Sequence, residues 1–155
     1  MLLLLYTGQR RSDAVRMEWS QFDGDIIEVP EQKKTGECVA IPCHHRLKSV
    51  LLTLPRRSKY ILTSERGTPY HPESLANAVR NQLHAIGIHG YSVHGLCKNA
   101  AIALIEAGCS DREVMAVLGH RTAGMVLRYS KRAEKKKLAK SAIARWEAAE
   151  VKKAS

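Results

Sequence analysis

Tyr129, His94, His120, Arg10 and Lys34 are the side chains of this sequence whose types and order suit attack on a phosphodiester. A tyrosine hydroxyl has an ordinary pKa of about 10, so at neutral pH it needs a base or a cationic field to become an effective nucleophile. His94 and His120 are the imidazoles available for that proton. As phosphorus becomes five-coordinate, negative charge grows on its non-bridging oxygens. Fixed arginines and N–H donors stabilise that charge more than they stabilise the ground state, which is what lowers the barrier. The leaving 5′ oxygen must gain a proton, and Lys34 on a mobile turn can supply it. This chemistry requires no metal, and no cluster of acidic side chains in the sequence reads as a magnesium site.

These residues fall on elements that the local pattern defines. Arg10 stands where a helix begins, with Ser12 as the expected N-cap of a helix over 13–19 and Ala14, Val15 and Met17 on its buried side. Backbone N–H groups at such a place favour an anion, and Asp13 could hold the guanidinium by a charge-assisted bond. Residues 22–42 read as a hairpin, with Ile26, Ile27 and Val29 on one strand, Cys38, Val39 and Ile41 on the other, and Lys33-Lys34-Thr35-Gly36 as the polar turn. A helix over 44–54, a third strand over 60–63 and a helix over 72–86 follow. The next helix covers 95–106, its apolar face made of Leu96, Ala100, Ala103, Leu104 and Ala107, with His94 at its first turn. Ser110 and Glu113 form a capping box for the helix after that, and Gly119 stops it. A helix from about residue 122 then brings Tyr129 back towards the turn that carries His120.

With 155 residues the chain fits one domain and can bury a real core, and its 45% hydrophobic content argues against disorder. Lys plus Arg outnumber Asp plus Glu by 25 to 15, and the sequence pI is about 9.7, which predicts attraction to a polyanion. Residues 131–155 carry nine Lys or Arg against three Glu, so +6 of the total +10 sits there, on a helix whose Leu138, Ala142 and Trp146 could form a narrow docking stripe. The apolar run at 1–5 meets Thr7, Gly8, Arg10 and Arg11 too soon for a spanning or secretory segment. It reads as the end of a buried helix, which suggests a fragment or a late start with a preceding domain missing. The four cysteines form no CxxC pair and read as reduced and structural. Cys38 and Cys43 with His44 and His45 could suggest zinc, but their spacing fits a strand better than a closed tetrahedral site.

Thr-Gly-Gln-Arg-Arg-Ser-Asp at 7–13, Lys-Thr-Gly at 34–36, His-Gly-Leu-Cys at 94–97 and Leu-Gly-His at 118–120, followed by Tyr129, together resemble the ordered signature of the tyrosine recombinase (phage integrase) family. The resemblance covers nearly the whole chain. It implies an α+β fold, mainly helical, with a small three-stranded antiparallel sheet. It also implies DNA strand exchange through a 3′-phosphotyrosyl intermediate without a cofactor. Residues 1–130 would be the catalytic domain and 131–155 its basic C-terminal helix, with the N-terminal core-binding domain absent. Tyr129 then resembles the nucleophile, Arg10 the first phosphate-binding arginine, and Lys34 (or Lys33) the hairpin lysine that protonates the leaving oxygen. His94 resembles the histidine that moves the nucleophile's proton, and His120 the one that touches the phosphate. The implied partner is double-stranded DNA, bound by a tetramer that exchanges its C-terminal segments. The implied location is the bacterial cytoplasm, in association with the nucleoid and not with a membrane.

One position departs from that signature. Where the family has His-x-x-Arg, this chain has His94-Gly95-Leu96-Cys97, so Cys97 marks a missing second arginine. A thiol supplies neither a permanent charge nor a bidentate fork. Two readings therefore stay open: a competent or weakened recombinase, and a DNA-binding remnant without chemistry. A type IB topoisomerase-like relaxation would use the same tyrosine chemistry. On either of the first two, affinity for duplex DNA should drop about 10³-fold between about 50 and 200 mM salt, measured by fluorescence anisotropy. A flat response would mean that the basic surface is not the DNA footprint.

Overall fold

The leucine run forms α1 (Leu2–Thr7), which ends because Gly8 takes the left-handed conformation at φ 64° and returns its N–H to the Leu4 carbonyl at 3.1 Å. A Cβ at Gly8 would strike the side chain of Leu118 and crowd that of Ala100, so the glycine also sets how closely two later segments approach. The structure is a computed structural model describing residues 1–154 except Pro30 and Thr35, and it describes the side chains of all of these but Met125 and residues 151–154. Thr35, in the middle of the expected lysine turn, thus lies outside the described residues.

Arg10 caps α2 (Arg11–Ala14), and Ser12 lies inside that helix instead of before it. The helix is shorter than the span 13–19 for a tertiary reason. The Met17 carbonyl accepts from the Ile61 N–H at 2.8 Å, and the Trp19 N–H donates to the Lys59 carbonyl at 2.9 Å. The chain beyond Val15 is thereby drawn into an extended pairing. A 3-10 turn at Trp19–Gln21 leads into β1 (Ile26–Val29), which pairs antiparallel with β2 (Val39–Pro42) in the register Ile27↔Ile41 and Val29↔Val39. Those four side chains are buried on one face, each contributing about 1.5–3 kcal/mol by leaving water.

The expected third strand over 60–63 is not part of this sheet. Tyr60 bridges Glu18 and Thr63 bridges Pro69, each as an isolated pair. Pro69 has no N–H to continue a ladder, and Glu18 is followed at once by the 3-10 turn. The described sheet has two strands, and the class is α+β and mainly helical.

Four of the remaining helices are capped by side chains. His44 Nδ1 accepts from the Arg46 N–H ahead of α3 (His45–Thr53), and His71 Nδ1 from the Glu73 N–H ahead of α4 (Pro72–Ala85). Ser92 caps α5 (Val93–Glu106), which starts two residues earlier than expected. The Ser110–Glu113 capping box opens α6 (Asp111–Leu118), and Gly119 at φ 65° closes it. α7 (Gly124–Ala154) runs as one 31-residue helix, so Tyr129 and the basic tail share an element. No described helix is long and apolar enough to cross a membrane.

The core divides in three. Met17, Phe22, Ile27, Ile41, Leu47 and Ile61 join the sheet to α3; Leu4, Val15, Leu75, Val79, Leu83 and Val93 join α1, α2, α4 and α5; Ala100, Val114, Leu118 and Val126 join α5, α6 and α7. On the expected apolar face of α5, Ala100 is buried but Ala103 and Ala107 are exposed. In the outer part of α7, Leu138, Ile143 and Trp146 are 58%, 50% and 65% exposed.

The close packing at Gly8 makes a stability prediction. Gly8→Ala should cost about 2 kcal/mol or more, combining a left-handed backbone penalty of about 1–2 kcal/mol with the collision against Leu118, as read by urea unfolding. Gly124→Ala, at the start of α7 with open space around its Cβ, should be neutral or stabilising by up to about 1 kcal/mol.

Candidate active site

Arg10, Lys33, His94 and Cys97 line one cleft of about 640 Å³, between the α1–α2 turn, the lysine turn of the hairpin and the first turns of α4 and α5. Its lining carries Arg10, Arg11, Lys33 and Arg80 against Glu73 alone, an excess of three positive charges with histidines neutral. Arg11 is already engaged: its guanidinium grips Glu73 through two bonds of 3.0 and 2.5 Å, an exposed pair contributing at most about 1 kcal/mol. Arg10 differs. Its Nη1 is buried and has no hydrogen-bond partner among the described residues. Leaving such a group unsatisfied costs about 1–3 kcal/mol or more, and an anion in the cleft would remove that cost.

His120 sits against this arginine. Its pKa is held below the ordinary 6.5 first by burial and then by the Arg10 charge, so the imidazole is neutral at physiological pH. Its Nδ1 is also buried, without a hydrogen-bond partner among the described residues. A neutral ring beside a fixed guanidinium offers one N–H and one lone pair without adding charge.

Cys97 stands on the cleft wall in the second turn of α5. Its thiol donates to the Gln9 carbonyl at 2.9 Å. Burial pushes its pKa above 9.0, a rise that the neighbouring Arg10 only partly offsets. The group is a protonated thiol and brings no cation to the cleft.

Asp13 is fully buried and organises the lysine turn. Its Oδ1 accepts from the Arg16 guanidinium at 3.0 Å and from the Lys33 backbone N–H at 2.9 Å, tying the lysine turn to α2. The expected bond from Asp13 to Arg10 is thus replaced by one to Arg16, and Asp13 Oδ2 has no partner among the described residues. Lys33 lines the cleft; Lys34 follows it in the turn, exposed and outside the lining.

Tyr129 belongs to a neighbouring element. It lies on the second turn of α7, half-buried against the cluster of Ala100, Val114, Leu118 and Val126, and it does not line the cleft. The next residue, Ser130, donates its hydroxyl to the Asp111 carboxylate at the start of α6, which holds this part of α7 down. Among the described residues, no group of three or more His, Cys, Asp or Glu side chains is placed to hold a metal ion.

Sequence reasoning missed Gln9 and Gln32, both buried, which join through their side-chain amides. The available signal was their position, each directly before a candidate site residue.

The sequence profile of the Phage integrase family matches residues 1–136. The integrase of Escherichia phage HK022 is 26% identical over 142 residues, covering 83% of this chain and 39% of that protein. A structure of XerA recombinase matches with a TM-score of 0.74 at 20% identity, covering 90% of this chain and 55% of that one, which speaks for the fold alone. A structure of a lambda integrase tetramer bound to a Holliday junction matches with a TM-score of 0.68 at 26% identity, over 83% of this chain and 40% of that one. The chain thus spans about two fifths of the length of the curated relative.

Two measurements check this geometry. Cys97 should react with iodoacetamide at pH 8 at least about tenfold more slowly than exposed Cys38, because only the thiolate reacts. The folded pKa of His120 is depressed, so its stability contribution is present above pH 6.5 and is lost as pH falls below that value. His120→Gln should therefore flatten the acid limb of the stability profile below pH 6.5.

Proposed function

Because the chain belongs to the phage integrase family, we propose that it is the catalytic domain of a site-specific DNA recombinase that cuts and rejoins double-stranded DNA through a 3′-phosphotyrosyl intermediate. The observation that carries this reading is Arg10, which lines a basic cleft and keeps a buried Nη1 without a hydrogen-bond partner among the described residues, with His94, Lys33 and Cys97 on the cleft walls and His120 beside Arg10. A phosphate seated there meets a fixed donor that needs no reorganisation, the arrangement that favours charge developing on oxygen. Residues 1–130 act as the catalytic unit and 131–155 as its basic C-terminal extension.

In this reading the Tyr129 oxygen bonds to phosphorus while the bond from phosphorus to the 5′ oxygen breaks. The tyrosine proton passes to His94, and His120 contacts a non-bridging oxygen. The lysine turn protonates the departing 5′ oxygen. Lys33 is the residue at the cleft, with Lys34 its alternative in the same turn. Tyr129 stands on α7, which packs against α5 and α6, and its hydroxyl is the group that must meet the phosphate.

Cys97 weakens the site. Losing one preorganised donor to a developing oxyanion costs about 10²–10³ in rate. The neutral thiol bonded to Gln9 is also the observation that favours the second reading, a DNA-binding remnant that occupies sites without cutting them.

The assembly proposed is a tetramer on DNA that exchanges C-terminal segments. Two features support it: the exposed Leu138, Ile143 and Trp146 of α7, and an apolar groove of about 630 Å³ whose walls include Leu5, Ile41, Ala103, Leu104 and Val117. The proposed setting is the bacterial cytoplasm, on the nucleoid.

Incubation with nicked DNA from the ends of the protein's own element, followed by a denaturing gel, tests the reading. Cys97→Arg should raise the covalent adduct about 10²–10³-fold over the Cys97 protein. Tyr129→Phe should abolish the adduct and leave DNA binding intact. An adduct that survives Tyr129→Phe would refute the nucleophile, and DNA binding with no adduct from either form at position 97 would favour the remnant.

A further inference from the structure

Gln9 and Gln32 are each 1% exposed, and a buried primary amide is stable only when its donors and acceptor are used. Gln32 Nε2 donates to Gln9 Oε1 and, at 2.9 Å, to the Leu118 carbonyl. Gln9 Nε2 donates to the Thr7 and Val117 carbonyls, both at 3.2 Å. All four amide N–H bonds are therefore spent. Two of the acceptors, Val117 and Leu118, are the last residues of α6, whose carbonyls have no partner within their own helix. The pair thus caps the end of α6 from two other segments. Contact is close enough that a Cβ at Gly119 would strike the Gln32 amide.

Each arm ends beside a site residue. Gln9 precedes Arg10, and its carbonyl receives the Cys97 thiol. Leu118 lies two residues before His120. Gln32 precedes Lys33, and its backbone closes the lysine turn: the Gln32 N–H donates to the Glu37 carbonyl at 3.0 Å, and the Gly36 N–H to the Gln32 carbonyl at 2.8 Å. The side chain of Gln32 therefore bolts the base of that turn to the segments carrying Arg10 and His120.

We infer that Gln9 and Gln32 are positioning residues for strand cleavage, a buried amide clamp that sets the leaving-group lysine against the phosphate grip formed by Arg10 and His120. This rests on the recombinase reading above. The clamp touches no substrate and acts through the lysine turn. A misplacement of about 1 Å at a reacting group can cost about 10²-fold in rate, so a device that holds three segments in register has a direct kinetic consequence.

The test uses Gln32→Met, close in volume and without hydrogen bonds, in the full chain carrying Cys97→Arg. Two nicked substrates are compared, one with the ordinary 5′ oxygen at the scissile bond and one with sulfur in its place. A thiolate departs without a proton, so a defect confined to the lysine should vanish on sulfur. Adduct formation should slow about tenfold or more on oxygen, within the range a general acid contributes, and less than about twofold on sulfur. Equal slowing on both substrates, or none on either, would overturn the positioning role.

Hydrogen exchange supplies a readout that needs no catalysis. Gln32→Met should speed exchange together at Lys33 and at Gly119 and His120, and leave β1 and β2 unchanged. Unchanged exchange at His120 would overturn the clamp itself. If the parent forms no adduct on either substrate, the recombinase reading fails and exchange alone decides the clamp. Gln9→Met, which breaks the pair from the other side, carries the same expectations should Gln32→Met not fold.

Discussion

A half-buried arginine, Arg10, whose Nη1 is buried with no hydrogen-bond partner among the described residues, is the constraint on which this structure depends. Arg10 is held at the start of α2, its own carbonyl accepting from the Asp13 and Ala14 N–H groups at 2.9 Å each, so the backbone beneath the side chain is rigid. Gly8 just before it allows α1 to press against Leu118 and Ala100, which brings α5 and α6 to either side. The Asp13 carboxylate is directed elsewhere, accepting from Arg16 and from the lysine turn. Had Asp13 neutralised Arg10, the cleft would hold a satisfied ion pair with little attraction for phosphate. The stability lost by leaving that N–H unpaired is the condition for binding an anion there.

The groups around Arg10 are neutral for the same physical reason. Burial disfavours charge on His120 and on Cys97, and the fixed cation acts in the same direction on the histidine and the opposite one on the thiol. A second arginine at 97 would have brought its own charge and a planar pair of donors to the cleft. The thiol turns instead to the Gln9 carbonyl and closes a local hydrogen bond. The site retains its shape with one cation fewer. Tyr129 adds a separate condition, because its helix packs against α5 and α6 and Ser130 is tied to Asp111.

Much of the fold around the candidate site was legible in the sequence, because short boxes with fixed residue types mark where the backbone turns. The Ser110–Glu113 capping box, the stop at Gly119 and the hairpin of alternating apolar residues each follow from local chemistry, and the structure has them. What the sequence did not reveal is tertiary. The helix expected through Trp19 is cut short by pairing with residues 59–61, and the same pairing keeps 60–63 out of the sheet. Asp13 gave no sign of choosing Arg16 over Arg10. Nor could spacing show that two glutamines 23 residues apart share a hydrogen bond, because polar residues beside a charged motif ordinarily face water. The lysine turn was legible as a turn, but which of Lys33 and Lys34 faces the cleft depends on the bond from Asp13 to the Lys33 N–H.

The most direct measurement of the central claim is side-chain NMR of the arginines, with Arg10 assigned through Arg10→Lys, during titration with a short DNA duplex. The Arg10 guanidinium signal should show the largest shift of any arginine and should become protected from exchange with water, because its buried N–H gains a phosphate partner. An unmoved Arg10 signal, with shifts confined to the exposed arginines of α7, would place the DNA on the tail and contradict the phosphate grip.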